Sequence, residues 1–141
     1  MEILTRLAGR WGLERRIEGH ASMKGTTDFS WREDGRLSYL ERGVLQLVTG
    51  DEFETHRRYL FEQRADGFVV HFAEDPPRVF HKITLEEKRG TLFGEADHLC
   101  NHDLYQSSYE FHLDGSFSIR HDVYGPRKDY EMVTVYRRPT G

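Results

Sequence analysis

The chain has 141 residues, a formal net charge of -4 and a sequence pI near 6.1. That length fits one domain with its own core, 1–141, and the acidic balance without any basic block argues against a general electrostatic grip on nucleic acid. One cysteine excludes an internal disulfide, no apolar run approaches the ~20 residues of a membrane helix, and no charged-then-apolar leader follows Met1, so a cytoplasmic protein is expected.

Ile3, Leu4 and Leu7 allow a short helix before Gly9-Arg10-Trp11. From there the pattern has period two almost throughout. Met23, Gly25, Thr27, Phe29 and Trp31 alternate with Lys24, Thr26, Asp28, Ser30 and Arg32, giving one core-facing and one polar face. Asp34-Gly35, Asp66-Gly67 and Asp114-Gly115 punctuate the runs, because glycine accepts the positive φ of tight hairpin turns. Asp75-Pro76-Pro77 breaks another pair of strands. Roughly nine to eleven short strands follow at the spacing of an all-β sandwich or barrel. Few apolar residues, many of them aromatic, suit a barrel with one polar outer face better than a helical bundle.

Turn length sets which side chains point inward. A two-residue loop at Asp114-Gly115 would put Tyr109 on one face with Arg120. A three-residue loop shifts the pairing by one. Tyr105, Ser107, Tyr109 and Phe111 then share a face with Phe117, Ile119, His121 and Val123, while Glu110, Arg120 and Asp122 point out. The cleaner split predicts the three-residue loop. Alternation elsewhere aligns Leu37 with Tyr39 and Glu41, and Thr55 with Arg57, Tyr59 and Phe61. It aligns Val79 with His81 and Ile83, leaving Phe80 outside, and Ala96 with His98 and Cys100. Tyr130, Met132, Thr134 and Tyr136 form the last inward set.

The interior therefore holds Glu41, Arg57, His81, His98 and His121 with several tyrosines. A dry core cannot carry so many polar groups unpaired, so a hydrated or ligand-filled cavity is expected. Its candidate ligand-binding residues are Tyr39, Glu41, Arg57, Tyr59 and His81, with His98, Cys100, Tyr105, Tyr109 and His121.

The motifs AxHxCxxDxYxxxYxF, from Ala96 to Phe111, and GPRKDYxMxTxYxR, from Gly125 to Arg137, together resemble a bacterial domain family of unknown function. GRW at Gly9–Trp11, LxYxExG from Leu37 to Gly43, RxY at Arg57–Tyr59 and FH at Phe80-His81 extend the resemblance over nearly the full length. It implies a small calycin-like (lipocalin-like) β-barrel, so the fold expected is all-β, a single antiparallel up-and-down barrel of that kind. In calycins the Trp of Gly-x-Trp plugs one barrel end and an Arg of the last strand stacks on it, a role for Arg137 or Arg138 here. Where the family tends to carry Trp in the penultimate strand, this chain has Phe117 and His121.

No metal site is expected, since His102 falls in a turn beside His98 and Cys100 and no CxxC or HxxxH occurs. No cofactor is expected either. Three inward histidines could ligate haem, but an Arg–Glu pair packs poorly on a porphyrin. Cys100 beside His98 is a nucleophile by residue type and, more ordinarily, a small buried hydrophobe. Glu41 and Arg57 read either as an ion pair closing the barrel or as an anion clamp beside an acid/base group. Arg127 and Lys128 read as turn charges or as a basic gate. His56, His71 and His112 are expected on the surface.

The expected function is binding of a small anionic or aromatic organic molecule in a partly polar cavity. One alternative is a decarboxylase- or isomerase-like enzyme in the same cavity, because phenolic acid decarboxylases, also calycin-like barrels, combine Tyr, Arg and Glu. The other is an interaction module with a packed interior.

Overall fold

The computed structural model describes residues 2–140, so the expected 1–141 unit extends one residue past it at each end. A short helix, α1 (Ile3–Leu7), precedes eleven strands. These are β1 (Gly9–Ile17), β2 (Ala21–Trp31), β3 (Leu37–Leu47), β4 (Glu52–Arg64), β5 (Gly67–Phe72) and β6 (Arg78–Thr84), then β7 (Glu86–Lys88), β8 (Thr91–Cys100), β9 (Asp103–Phe111), β10 (Phe117–Tyr124) and β11 (Asp129–Arg137).

Each strand is antiparallel to its neighbours, in the order β6-β5-β4-β3-β2-β1-β11-β10-β9-β8-β7. This is an up-and-down meander in which β1 and β11 pair, Gly12 against Arg137 through Ile17 against Met132. The sheet curls until its edges meet, where β6 and β8 pack side by side without a hydrogen-bonded ladder. The result is a nearly closed barrel. Gly94 lets that seam close: a Cβ there would lie 2.5 Å from the Ile83 side chain and 2.8 Å from the Thr84 carbonyl.

The hairpin at Asp114-Gly115 has the three-residue loop. His112 N–H donates to Ser116 O, Gly115 takes φ +91°, and Phe111 pairs with Phe117. Tyr109, Phe111, Phe117 and Ile119 are buried, while Glu110 and Arg120 are exposed. Asp34-Gly35 turns in the same way. Asp66-Gly67 does not. Gly67 already belongs to β5 and is needed for contact, because a Cβ would meet the Ile83 carbonyl at 1.9 Å.

Three expected orientations are corrected. Trp31 ends β2 beyond the core and is 51% exposed. Val79 is exposed and Phe80 turns inward, because a β-bulge where β5 meets β6 sets Val70 opposite His81 but His71 opposite Val79. His71 is buried on the outer face of β5, across from Leu60 and 3.8 Å from the Glu62 carboxylate.

One barrel end is plugged. Ile3, Leu4 and Leu7 join the core with Trp11, whose indole N–H donates to Leu7 O at 2.8 Å. The Arg138 guanidinium lies 4.0 Å from the Trp11 ring centroid and donates to the carbonyls of Arg6, Ala8 and Arg10. Inside, Trp11 meets the edge of Phe117, which stacks on Tyr136 at 4.2 Å. Such ring pairs add about 0.5–1.5 kcal/mol each beyond their buried area.

Arg138 thus serves cation–π contact and three carbonyls at once. Arg138→Ala should destabilise by about 2 kcal/mol, read as a lower urea midpoint by tryptophan fluorescence. Arg138→Lys should recover only part of that, since an ammonium lacks the planar fork.

Candidate functional site

The end opposite Trp11 carries the turns after β1, β3, β5, β8 and β10, and it opens into the barrel. A cavity of ≈ 270 Å³ lies there. Its walls hold Arg57 and Tyr59 from β4, Phe72 and Phe80 from β5 and β6, and His98 with Cys100 from β8. Tyr105, His121, Tyr130 and Met132 complete the far side. Below it, Arg57, Tyr59, Phe80, His121 and Met132 form a neck above a narrow chamber of ≈ 30 Å³, bounded by Arg15, Tyr39, Tyr109, Thr134 and Tyr136.

Six of the ten expected residues therefore border the outer cavity: Arg57, Tyr59, His98, Cys100, Tyr105 and His121. Tyr39 and Tyr109 line the deeper chamber. Glu41 and His81 border neither. Glu41 is fully buried and His81 is 1% exposed beneath the wall, where its Nδ1 meets the Tyr109 hydroxyl at 3.0 Å.

The expected Glu41–Arg57 ion pair is replaced by another. The two residues do sit directly opposite across β3 and β4. Glu41 instead receives two hydrogen bonds from Arg15 of β1, at 2.6 and 2.8 Å, in a buried fork-on-carboxylate pair. Arg15 Nε donates to the Thr134 hydroxyl at 2.7 Å. The Tyr39 hydroxyl donates to Glu41 and meets that of Tyr136 at 2.8 Å. Burial pushes the Glu41 carboxyl up, but the bonds and charge of Arg15, the Tyr39 hydrogen bond and the nearby charge of Arg57 together outweigh it and hold it below the usual range. Burial likewise opposes the charge on Arg15, and the Glu41 bonds restore and raise its pKa. Arg15 escaped the sequence reading, although Trp11, Leu13, Arg15 and Ile17 alternate on β1 and place it inward. That alternation was the available signal.

Arg57 is left exposed at the mouth with no ion pair or hydrogen bond to another described residue. Arg78, the other arginine on the wall, is held by Glu74 at 3.1 Å and lies over the Phe72 ring. Among the described residues no carboxylate lines the cavity.

The histidines are held neutral. Burial, then the neighbouring His121 and His98, pushes His81 down to about 3. Burial, then Arg15 and Arg57, takes His121 down to about 4. His121 Nδ1 meets the Ser107 hydroxyl at 2.6 Å. Burial also lowers His98, whose Nε2 is buried without a partner.

The two motif segments meet at the rim. Lys128 pairs with Asp103 at 3.2 Å and reaches the Tyr105 hydroxyl at 3.5 Å. A Cβ on Gly125 would lie 2.0 Å from the Asp103 carboxylate, so a larger residue here would displace that side chain from Lys128. His102 stands exposed in the turn before Asp103 and does not border the cavity that His98 and Cys100 line.

Two outcomes follow from this geometry. Arg15→Met should strand the Glu41 charge and destabilise by about 3–5 kcal/mol, with Glu41→Gln added to Arg15→Met recovering part of the loss in chemical unfolding. Stability should also fall on acidification. His81 and His121 have depressed folded pKa values, so their contribution is complete above the unfolded value of 6.5. It is lost as pH drops toward about 4 and then about 3, at up to about 1.4 kcal/mol per pH unit for each histidine. Unfolding midpoints measured between neutral pH and the acid range, with His81→Phe as reference, check this.

Among solved structures the chain is similar to a de novo designed fluorescence-activating β-barrel, with 13% identity over 96% of this chain and 95% of that one at a TM-score of 0.46. A redesigned β-barrel, mFAP1, bound to DFHBI, shares 12% identity over 95% and 96% of the two chains at a TM-score of 0.45. No curated protein matches the chain. Residues 7–138 match a family of unknown function, DUF6314, and with that span covering nearly the whole sequence the protein belongs to it.

Proposed function

We propose that this protein is a calycin-like binding barrel that holds a small anionic or aromatic organic molecule in the cavity at its open end. One observation carries the reading: a cavity walled by aromatic rings, holding an arginine without a carboxylate partner and no acidic side chain. An unpaired guanidinium beside apolar walls suits a planar anion, which it can meet with two parallel hydrogen bonds. Rings and a few convergent polar groups are the ordinary furnishing of a small-molecule site. The calycin assignment is supported by the Trp11–Arg138 stack at the closed end.

Acid/base catalysis finds less support. Glu41, the carboxylate on which that alternative depended, is buried against Arg15 and does not border the cavity. A wholly packed interaction module is likewise less favoured, given the open interior volume.

Arg57 is the residue to test. Because Glu41 already has Arg15, Arg57→Met should change apo stability by less than about 0.5 kcal/mol, as at an ordinary surface site. The same change should weaken binding of small aromatic carboxylates by tenfold or more, on the order of one charge-assisted hydrogen bond. Thermal unfolding with and without benzoate and its relatives measures both. A large loss of stability with undiminished affinity overturns the clamp.

A further inference from the structure

The charges around the cavity can be counted. Arg15, below the neck, is matched by Glu41. Arg78, on the wall, is matched by Glu74 at 3.1 Å. Lys128, at the rim, is matched by Asp103 at 3.2 Å. Among the described residues no Asp or Glu lines the cavity, which leaves Arg57 as the one lining arginine without a salt bridge or hydrogen bond to a carboxylate; Glu41, which its charge also reaches, is already bonded by Arg15. The site therefore offers a single uncompensated positive charge.

A second group points to what else the ligand carries. His98 lies on β8, on the other side of the β5–β6 wall from Arg57 on β4. Its Nε2 is buried without a hydrogen-bond partner, although the ring borders the cavity. The ring is packed edge-on against Phe80 at 5.2 Å and Phe72 at 5.9 Å, which fixes its orientation. A buried polar nitrogen is costly unless something bonds to it. A neutral imidazole nitrogen can exchange a hydrogen bond with an uncharged hydroxyl or carbonyl. It gives a second carboxylate no compensating charge.

We propose that the cavity selects singly charged aromatic acids bearing an uncharged hydrogen-bonding group, the acid held by Arg57 and the neutral group by His98. The proposal rests on the small-molecule reading above and narrows it to charge and functional group. A dianion would bring a second charge into apolar walls with no cation to meet it. A neutral phenol would leave Arg57 unused. The neutral histidines fit the count, since His98 and His121 add no positive charge near neutral pH.

Isothermal titration calorimetry with phenol, benzoate, para-hydroxybenzoate and terephthalate tests it near neutral pH. Para-hydroxybenzoate should bind tightest, with benzoate about fivefold weaker for the missing hydrogen bond. Phenol and terephthalate should each bind at least about tenfold weaker than para-hydroxybenzoate. Arg57→Met should bring benzoate down to the level of phenol. His98→Phe should erase the advantage of para-hydroxybenzoate over benzoate, and His98→Asn, which keeps a hydrogen-bonding group, should restore part of it. Terephthalate binding as tightly as benzoate, or an advantage of the hydroxyl that survives His98→Phe, overturns the proposal and leaves the small-molecule reading standing. Failure of all four probes to bind the folded wild-type protein overturns both.

Discussion

The buried pair of Arg15 and Glu41 is the constraint on which the rest of the interior depends. Two ions removed from water lose several kcal/mol of hydration each, and only close, fully bonded geometry offsets that. The barrel provides such geometry from β1, β3 and β11. Arg15 grips both carboxylate oxygens and Thr134, while Tyr39 adds a further donor to Glu41. Rearranging this group would leave a bare charge in the core. It therefore ties β1 to β3 across the intervening β2.

The same pair determines what the mouth can do. With Glu41 bonded from within, Arg57 makes no salt bridge to it, although it faces Glu41 in register and its charge still favours the carboxylate. It extends to the rim among Tyr59, Phe80 and Tyr105. The barrel is thus graded along its axis: a bonded ion pair near the middle, the neutral His121 at the neck, and Arg57, without a salt bridge, reaching to the opening. The motif segments reinforce the opening. Asp103 from one and Lys128 from the other pair at the rim, with Gly125 making room, so the two runs that stand apart in sequence form one local structure.

Much of the barrel was legible because alternation on a half-buried sheet is unforgiving. The hairpin from Tyr105 to Val123 has only one register that hides Phe117 and Ile119 without burying Arg120, and the chain adopts it. The inward placement of Glu41 and Arg57 was legible too. Their bonding was not, because a guanidinium reaches beyond its nearest neighbour, and Arg15 from two strands away arrives with better geometry. Phe80 was misplaced for another reason. A bulge adds one residue to a strand and reverses parity beyond it, and nothing in Arg78-Val79-Phe80-His81 marks where that happens. His71 was misread because a histidine carries no signature that separates a surface site from a covered outer face.

The seam between β6 and β8 has a consequence for how the molecule assembles. The free edges of the sheet lie in the middle of the chain, and the first and last long strands pair at the centre of the sheet, Gly12 beside Arg137. Most of the other pairings are hairpins between successive strands and can form locally. The β1–β11 ladder needs nearly the full length of the chain to come together, which carries a large loop-closure entropy and raises contact order. A circular permutant with its ends joined and its chain opened between Leu85 and Gly90 would make every ladder local, and would be expected to fold faster through the same set of strands.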